Sequence, residues 1–411
     1  MQRPRAAPAR SLGVCHTFAG LALDRSRVVE LKDQEAFQGA IKRPDSIFVL
    51  FHGTSALVKY PSSAAAGGAA PQIAYQTRQD LASRLAVSVE VSCGWISTHR
   101  RVQSLVPLLE TDLQTTYIQI QDLVPRPPPP AGQEQASPAG ALTCVALGAA
   151  AEPQWVFALD VSARPKEEVE TQVAGAGDGA ARVAFEPVRG LLAAMTPPEI
   201  AVCGQGGAIL AWHRLNQYCG VCGSPMLPVE AGGRRACTSC RNRAYPRIDP
   251  VCIALVYDPA TDRCLLGRQR VYRPGMFSCV AGYAEQVESL EECVRREVKE
   301  ESGIDVGKVV FHSSQPWPIG RGASCQLMVG FVCEATSVDI DMDSDELEDV
   351  RWFSREEVAA AKELVVTPLQ HGATGNSGDA DGPPPLSIPG PYAIAHHLIC
   401  HWLQMPPRHR L

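Results

Sequence analysis

Two Cys-x-x-Cys pairs, Cys219 with Cys222 and Cys237 with Cys240, stand fourteen residues apart in the middle of the chain. Each pair turns tightly enough to aim two thiolates at one point. Two such knuckles complete a tetrahedral sulfur site suited to Zn²⁺. Gly220 and Gly223 ease the first turn, because glycine reaches positive φ at little cost. Four protein ligands leave no open coordination position, so the implied zinc, one per chain, is structural. The competing readings are coincidental spacing and a redox dithiol. Arg234, Arg235, Arg241, Arg243 and Arg247 crowd the same segment and are where a nucleic acid would be sought.

Around this staple the chain of 411 residues has room for two or three domains. Its 38 basic and 44 acidic residues give a net charge of −6, which offers no general electrostatic footprint for nucleic acid or an anionic membrane. No apolar run approaches the length of a membrane span, so no membrane partner is expected. Most of the remaining cysteines, such as Cys252 and Cys333, sit singly among apolar neighbours and read as buried thiols in a reducing compartment. Residues 1–17 carry Arg3, Arg5 and Arg10 and no acidic residue, which suits either a disordered tail or an organelle-targeting segment. The chain stops at His409, Arg410 and Leu411, loosely similar to a peroxisomal address. Cytoplasm, peroxisome, mitochondrion and plastid all stay open.

Stretches rich in Pro, Gly, Ala and Ser at 62–71, 125–140, 171–181 and 372–391 read as loop insertions or linkers. They leave an N-terminal region at 18–205, the Cys-rich segment at 216–247 and a C-terminal region at 248–405. In the first region, 46–51 and 155–159 read as strands, and nothing there spells out chemistry.

The segment from Gly282 to Ile304 is more informative. Ser289 with Glu292 three residues later forms a capping box, so a helix begins there. Leu290, Val294 and Val298 recur every four residues as an apolar stripe, and Gly303 suits the left-handed residue that ends a helix. Glu297, Glu300 and Glu301 then cluster on adjoining faces at one end. Like charges one turn apart destabilise a helix unless a cation neutralises them. Hard oxygen ligands in that number suit Mg²⁺ or Mn²⁺. Lys299 points off this face and is expected in solvent. A solvated acidic helix is the bland alternative, and spacing decides against it. The segment reads G-x5-E-x7-R-E-V-x-E-E-x-G-I, and every fixed position is filled.

That pattern is the Nudix box, and the sequence resembles the Nudix hydrolases, which cleave nucleoside diphosphates linked to another moiety. The resemblance implies a C-terminal α/β/α sandwich with divalent metal on Glu297, Glu300 and Glu301. It also implies a metal-facing carbonyl at Ala281, and Arg296 and Glu288 bracing the loop. Downstream, Ser314, Gln315, Pro316, Trp317 and Pro318 look like the SQPWPFPxS signature of the NADH pyrophosphatases. That family also carries a four-Cys zinc ribbon directly before its Nudix domain. Phe18, Gly20, Leu23, Asp24 and Arg25 are similar to the FxGxPLDR opening of its N-terminal domain. The expected architecture is therefore mixed α+β and α/β: an N-terminal α/β domain, the zinc ribbon and the Nudix sandwich. The family's Phe-Pro is replaced here by Ile319 and Gly320, followed by a short insertion within 321–326. Ser324 then matches the signature's closing serine.

The resemblance implies hydrolysis of NADH or NAD⁺ to nicotinamide mononucleotide and AMP, with catalytic Mg²⁺ or Mn²⁺ and a homodimeric assembly. It implies substrate contacts at Tyr245, Gln315, Pro316, Trp317, Pro318, Ser324 and Ala395, and a further metal-side glutamate at Glu346. The alternatives are another Nudix substrate such as ADP-ribose or a diadenosine polyphosphate, and removal of NAD caps from RNA. A catalytically silent NAD-sensing or RNA-binding module is the non-enzymatic alternative.

Overall fold

The computed structural model describes residues 31, 34–60, 70–77, 80, 144–149, 155–174, 182–320, 322, 324–363 and 384–406. The Arg-rich tail, the opening at 18–25, the stretch at 125–140 and the terminal His409 to Leu411 lie outside these residues. The chain forms two compact units. One is Gly20–Arg247 with Pro318–Cys325, and the other is Met1–Ala19, Ile248–Trp317 and Gln326–Leu411.

In the first unit, α1 (Gln34–Lys42) leads into β1 (Ile47–His52), whose four central residues are all buried. A continuous apolar run of this kind suits a central strand covered on both faces. The strands β2 (Ser55–Tyr60), β3 (Gln72–Ile73), β4 (Gln76–Thr77), β5 (Cys144–Ala149), β6 (Trp155–Asp160) and β7 (Arg182–Pro187) join it. Strand β6 lies parallel to β1, with Ile47 opposite Val156, and the other pairings are antiparallel. The rings of Phe48 and Phe157 stack at 5.3 Å, and Phe37 meets Phe157 edge-on. The expected strands at 46–51 and 155–159 are therefore β1 and β6. The reading of 171–181 as a linker is corrected at its start, because Thr171 to Ala174 close helix α2 (Lys166–Ala174). Val169 and Val173, four residues apart, bury on one face, and this outweighs the small-residue composition.

Helix α3 (Pro197–Leu215) opens with a capping box from Thr196 and Glu199. It approaches β1 so closely that a β-carbon at Gly206 would lie 2.6 Å from the Phe51 ring. It delivers the chain to a three-stranded antiparallel ribbon of β8 (Met226–Val229), β9 (Arg234–Cys237) and β10 (Arg243–Ala244).

The second unit centres on β11 (Asp249–Asp258), followed by β12 (Arg263–Arg268), β13 (Val280–Tyr283) and α4 (Leu290–Ser302). It continues with β14 (Val306–Trp317), β15 (Gln326–Ala335), β16 (Asp349–Ser354), α5 (Arg355–Glu363) and α6 (Ile394–Gln404). Strand order is β14-β15-β11-β12-β16, with β13 also on β11. Alternate residues of β11 enter two cores. Cys252, Ala254 and Val256 pack with Cys293, Val294 and Val298 of α4, whereas Ile253, Leu255 and Tyr257 pack with Val358, Leu398 and Trp402 of α5 and α6. This is the expected α/β/α sandwich. Part of the 372–391 stretch is likewise not a free insertion. Ser387 exchanges backbone hydrogen bonds with Gly275 and Phe277 at 2.8 and 3.0 Å, and Ile388 is buried.

The two units share one topology. The path β5-β6-β1-β2-β7 repeats β14-β15-β11-β12-β16, including the single parallel pair and the extra antiparallel strand on the central one. The sequence reading did not detect this, because the shared feature is pairing order rather than residue identity. The stretch after β4, where β13 leads into the glutamate helix, holds a single glutamate, Glu90, between residues 77 and 100.

Candidate active site

Local chemistry builds α4 as its sequence prescribes. Ser289 Oγ accepts from the Glu292 N–H, Glu292 accepts from the Ser289 N–H at 2.7 Å, and Gly303 ends the helix at φ 74°. Burial of Val294 and Val298 against β11 fixes the helix azimuth and turns Glu301 inward, where it is 4% exposed. Glu300 remains largely in solvent. Lys299, expected to be merely solvated, donates to the Gly303 carbonyl and pairs with Asp305 at 3.1 Å, so it also caps the helix.

Arg296 ties the site together. Its Nε and Nη2 donate to Glu288 at 3.1 and 2.6 Å, and Nη2 also reaches the Tyr283 carbonyl at 2.9 Å. Its Nη1 donates to Glu297 at 2.8 Å and to Glu300 at 3.0 Å. The Arg296 guanidinium, helped by the Glu285 N–H, holds Glu288 down to about 2. Arg296 and Glu288 therefore brace the loop, as the resemblance implied.

Glu301 lacks such support. Among the described residues no donor reaches its carboxylate. Burial pushes its pKa up to about 8, reinforced by the negative charges of Glu297, Glu346, Asp343 and Glu300. Glu297 is also raised, chiefly by burial and against the pull of Arg296. Glu346 sits exposed on the turn at 344–346, close enough to contribute to both shifts. Asp343, whose N–H donates to the Glu301 carbonyl at 3.3 Å, belongs to the same group and was missed from sequence. Its only sequence signal was membership of an acidic run. Ala281 lies on β13 opposite Ile253, next to Gly282 and Glu297. A buried carboxylate surrounded by like charges favours a nearby cation, and oxygen donors of this kind suit Mg²⁺ or Mn²⁺, while among the described residues only the four ribbon cysteines bring three or more ligand atoms within 4.8 Å of one another.

The expected substrate residues divide between the units. Gln315 is fully buried, and both ends of its amide are used: Nε2 donates to the Tyr392 carbonyl and Oε1 accepts from the Ile394 N–H, each at 2.8 Å. It clamps the start of α6, which carries the buried Ala395. Pro316 and Trp317 end β14, opposite Leu327 and Gln326, and are partly buried. Tyr283, half exposed beside Gly282, is an aromatic surface that sequence reasoning passed over. An aromatic residue directly after the box glycine was the available signal. Pro318, Ser324 and Tyr245 belong to the other unit. There the Ser324 carbonyl accepts from the Gly320 N–H, and Tyr245 is exposed with Arg234 donating to its hydroxyl at 3.2 Å.

In the ribbon, the sulfurs of Cys219, Cys222, Cys237 and Cys240 all lie within 4.8 Å of one another, with three pairs at 3.5, 3.6 and 3.7 Å. A tetrahedron with Zn–S bonds of about 2.3 Å has edges of about 3.8 Å, so the site has zinc dimensions. The N–H groups of Ser239 and Cys240 donate to Cys237 Sγ, and Asn242 donates to Cys219 Sγ, where it joins the backbone N–H groups of Val221 and Cys222 in favouring the thiolate. The ribbon arginines are partly committed elsewhere. Arg235 is buried, donating to His213 Nδ1 at 3.0 Å and to the Met226 carbonyl, while Arg234 pairs with Glu230. His213, also buried, is pulled down to about 4 by desolvation and the Arg235 charge.

Comparison with known proteins agrees with these parts. Residues 247–369 match the NUDIX domain, 214–245 the NADH pyrophosphatase zinc ribbon domain, and 45–212 the NADH pyrophosphatase-like rudimentary NUDIX domain. The last accords with the repeated sheet topology. The chain is 48% identical over 231 residues to Nudix hydrolase 19, chloroplastic, of Arabidopsis thaliana, covering 51% of this chain and 53% of that protein. It is 39% identical over 217 residues to the NAD-capped RNA hydrolase NUDT12 of Homo sapiens, covering 51% and 43%. It is 33% identical over 275 residues to the mitochondrial NAD(P)H pyrophosphatase NUDT13 of Homo sapiens, covering 63% and 71%. The matched stretch thus spans about half the length of the first two relatives and more than two thirds of the third.

Proposed function

Because the chain belongs to the zinc-ribbon NADH pyrophosphatase family of Nudix hydrolases, we propose that it hydrolyses the pyrophosphate of NADH or NAD⁺ to nicotinamide mononucleotide and AMP. The observation that carries this reading is Glu301, a buried carboxylate ringed by Glu297, Glu300, Glu346 and Asp343 with no cation of its own. Glu297, Glu300 and Glu301, with the Ala281 carbonyl and Glu346, would hold Mg²⁺ or Mn²⁺. Such an ion, when bound, offsets the charge of the pyrophosphate and activates water. Arg296 and Glu288 keep the loop and Glu297 in place while Glu346 serves as ligand or general base. Trp317 and Tyr283 offer aromatic surface to a base or nicotinamide. Tyr245, Gln315, Pro316, Pro318, Ser324 and Ala395 complete the proposed substrate set, Gln315 by placing the start of α6.

Incubation with NADH, NAD⁺, ADP-ribose and NAD-capped RNA, each with Mg²⁺ or Mn²⁺, followed by chromatography of products, tests the reading. AMP and nicotinamide mononucleotide are expected from NADH or NAD⁺. Faster cleavage of ADP-ribose, or no cleavage of any of the four, overturns it. Decapping is supported by the names of relatives, although the occupied Arg234 and Arg235 leave the ribbon less basic than its sequence. The names of relatives in chloroplast and mitochondrion support an organelle as the compartment. Within the described residues no helix is long and apolar enough to cross a membrane. A homodimer and the domain limits 18–205, 216–247 and 248–405 complete the proposal.

A further inference from the structure

We propose that Arg273 grips a phosphate oxygen of the nucleoside-diphosphate substrate, positioning it between the glutamates and the start of α6. The inference rests on the function proposed above and extends it to a residue outside the box and outside the Gln315 to Pro318 signature. Arg273 lies on the loop between β12 and β13. One side of that loop is fastened to the segment carrying Glu346. Arg268 pairs with Glu348 at 2.6 Å, Glu348 N–H donates to the Arg268 carbonyl at 2.8 Å, and Arg270 donates to the Ser344 carbonyl at 3.0 Å. Arg268 also reaches the carbonyls of Tyr272 and Arg273, which stiffens the loop. The other side is fastened to the segment entering α6, through Ser387 with Gly275 and Phe277. Arg273 itself sits beside Tyr392, whose carbonyl receives the Gln315 clamp.

The backbone around Arg273 is thus fixed on both sides, while among the described residues only Tyr392 offsets its charge. Among the described residues its guanidinium has no carboxylate partner and no hydrogen bond, although it is partly buried. Desolvation pulls its pKa below the ordinary arginine value, the sign of a cation without full compensation. Arg268 at the start of the same loop, and Arg296 and Arg355 elsewhere in this unit, are by contrast committed to carboxylates within the fold. A guanidinium fork held open in this way matches phosphate geometry, and its loss removes a charge-assisted hydrogen bond.

The test uses the full-length protein with ADP and Mg²⁺ as binding probe and NADH as substrate. Arg273→Ala and Arg273→Gln should weaken ADP binding and raise KM for NADH by about 10- to 100-fold, with kcat changed far less and Mn²⁺ affinity unaltered. Arg273→Lys should recover part of the loss. Folded variants that bind ADP and NADH like wild type overturn the proposal. So does unfolding of both neutral variants, which would make Arg273 a structural residue. If wild type binds ADP in an Arg273-dependent way yet leaves NADH intact, the function proposed above fails and this assignment stands.

Discussion

A β-carbon on Gly282 would lie 1.9 Å from Cδ of Glu297 and 2.0 and 2.2 Å from its two oxygens. The box glycine is therefore required by space, since the Glu297 carboxylate occupies the volume a side chain would fill. Gly282→Ala forces that carboxylate away, because Arg296 and its tie to Glu288 hold the helix side. Metal affinity and turnover should fall about 10- to 100-fold while far-UV circular dichroism stays unchanged. Mn²⁺ titration by electron paramagnetic resonance checks this. Wild-type affinity in the variant would show that Glu297 holds no metal.

Glu301 gives the metal-free site a pH signature. Its carboxyl sits at about 8 in the folded protein, above the ordinary value of 4.5, so the folded state binds the proton more tightly than the unfolded one. Stability should then rise as pH falls from about 8 and decline as pH rises through that value. Below the ordinary histidine pKa of 6.5 the trend is opposed by His213 and His312, both depressed to about 4 by burial and hence destabilising once they must charge. Between pH 6.5 and 8 the histidines no longer contribute, but the ribbon thiolates, with Cys219 held down to about 6, oppose the trend. Thermal melts of zinc-loaded protein stripped of Mg²⁺ and Mn²⁺ should therefore show the Glu301 component there as the stability that wild type loses with rising pH relative to Glu301→Gln. Excess Mg²⁺ should abolish that difference. The same variant should cost turnover on the order of a hundredfold or more. A loss with rising pH that is no smaller in Glu301→Gln assigns the proton to another group.

The ribbon separates stability from catalysis. Cys219 is pulled down to about 6, first by the backbone N–H groups of Val221 and Cys222, and its sulfur lies 3.7 Å from that of Cys240. Cys219→Ser should remove stoichiometric zinc and lower the melting temperature, because a closed four-ligand site contributes folding free energy. Metal content by mass spectrometry, read beside the melt, decides. A zinc-free variant that melts like wild type would mean that the sulfurs do not staple the fold.

What was legible in the sequence follows from the range of the interactions. The caps and apolar stripe of α4 act within four residues, so Ser289, Glu292 and Gly303 could be placed without coordinates. The two Cys-x-x-Cys knuckles are equally local. Gln315 was legible as part of a signature, but its clamp on Tyr392 and Ile394 spans 77 and 79 residues and left no periodic trace. The pairing of Ile47 with Val156 is similar, because a parallel register over such a distance is set by the whole sheet. Arg235 read as one of five surface cations, and only its partner His213 on α3 explains its burial. Asp343 looked like one more acid in a run until the fold brought it to Glu301.

The last prediction concerns Val287, just before Glu288. It has φ 71° and its side chain is fully exposed. The left-handed region costs an ordinary L-residue roughly 1–2 kcal/mol, and a β-branched side chain is especially ill suited to it. No packing offsets that cost, since the valine touches solvent on all sides. Val287→Gly relieves the strain, while the greater freedom of glycine in the unfolded chain returns about 0.5–1 kcal/mol of it. The net gain should be about 0.5–1 kcal/mol, or a rise of about 0.5–1 °C in melting temperature for a protein of this size. Differential scanning calorimetry of the isolated protein checks the sign. The bond from the Glu285 N–H to Glu288 and the Arg296 brace do not involve the Val287 side chain, so turnover should change little. A lower melting temperature would mean that another copy of the chain covers the valine in solution, or that the freedom of glycine in the unfolded chain outweighs the relieved strain.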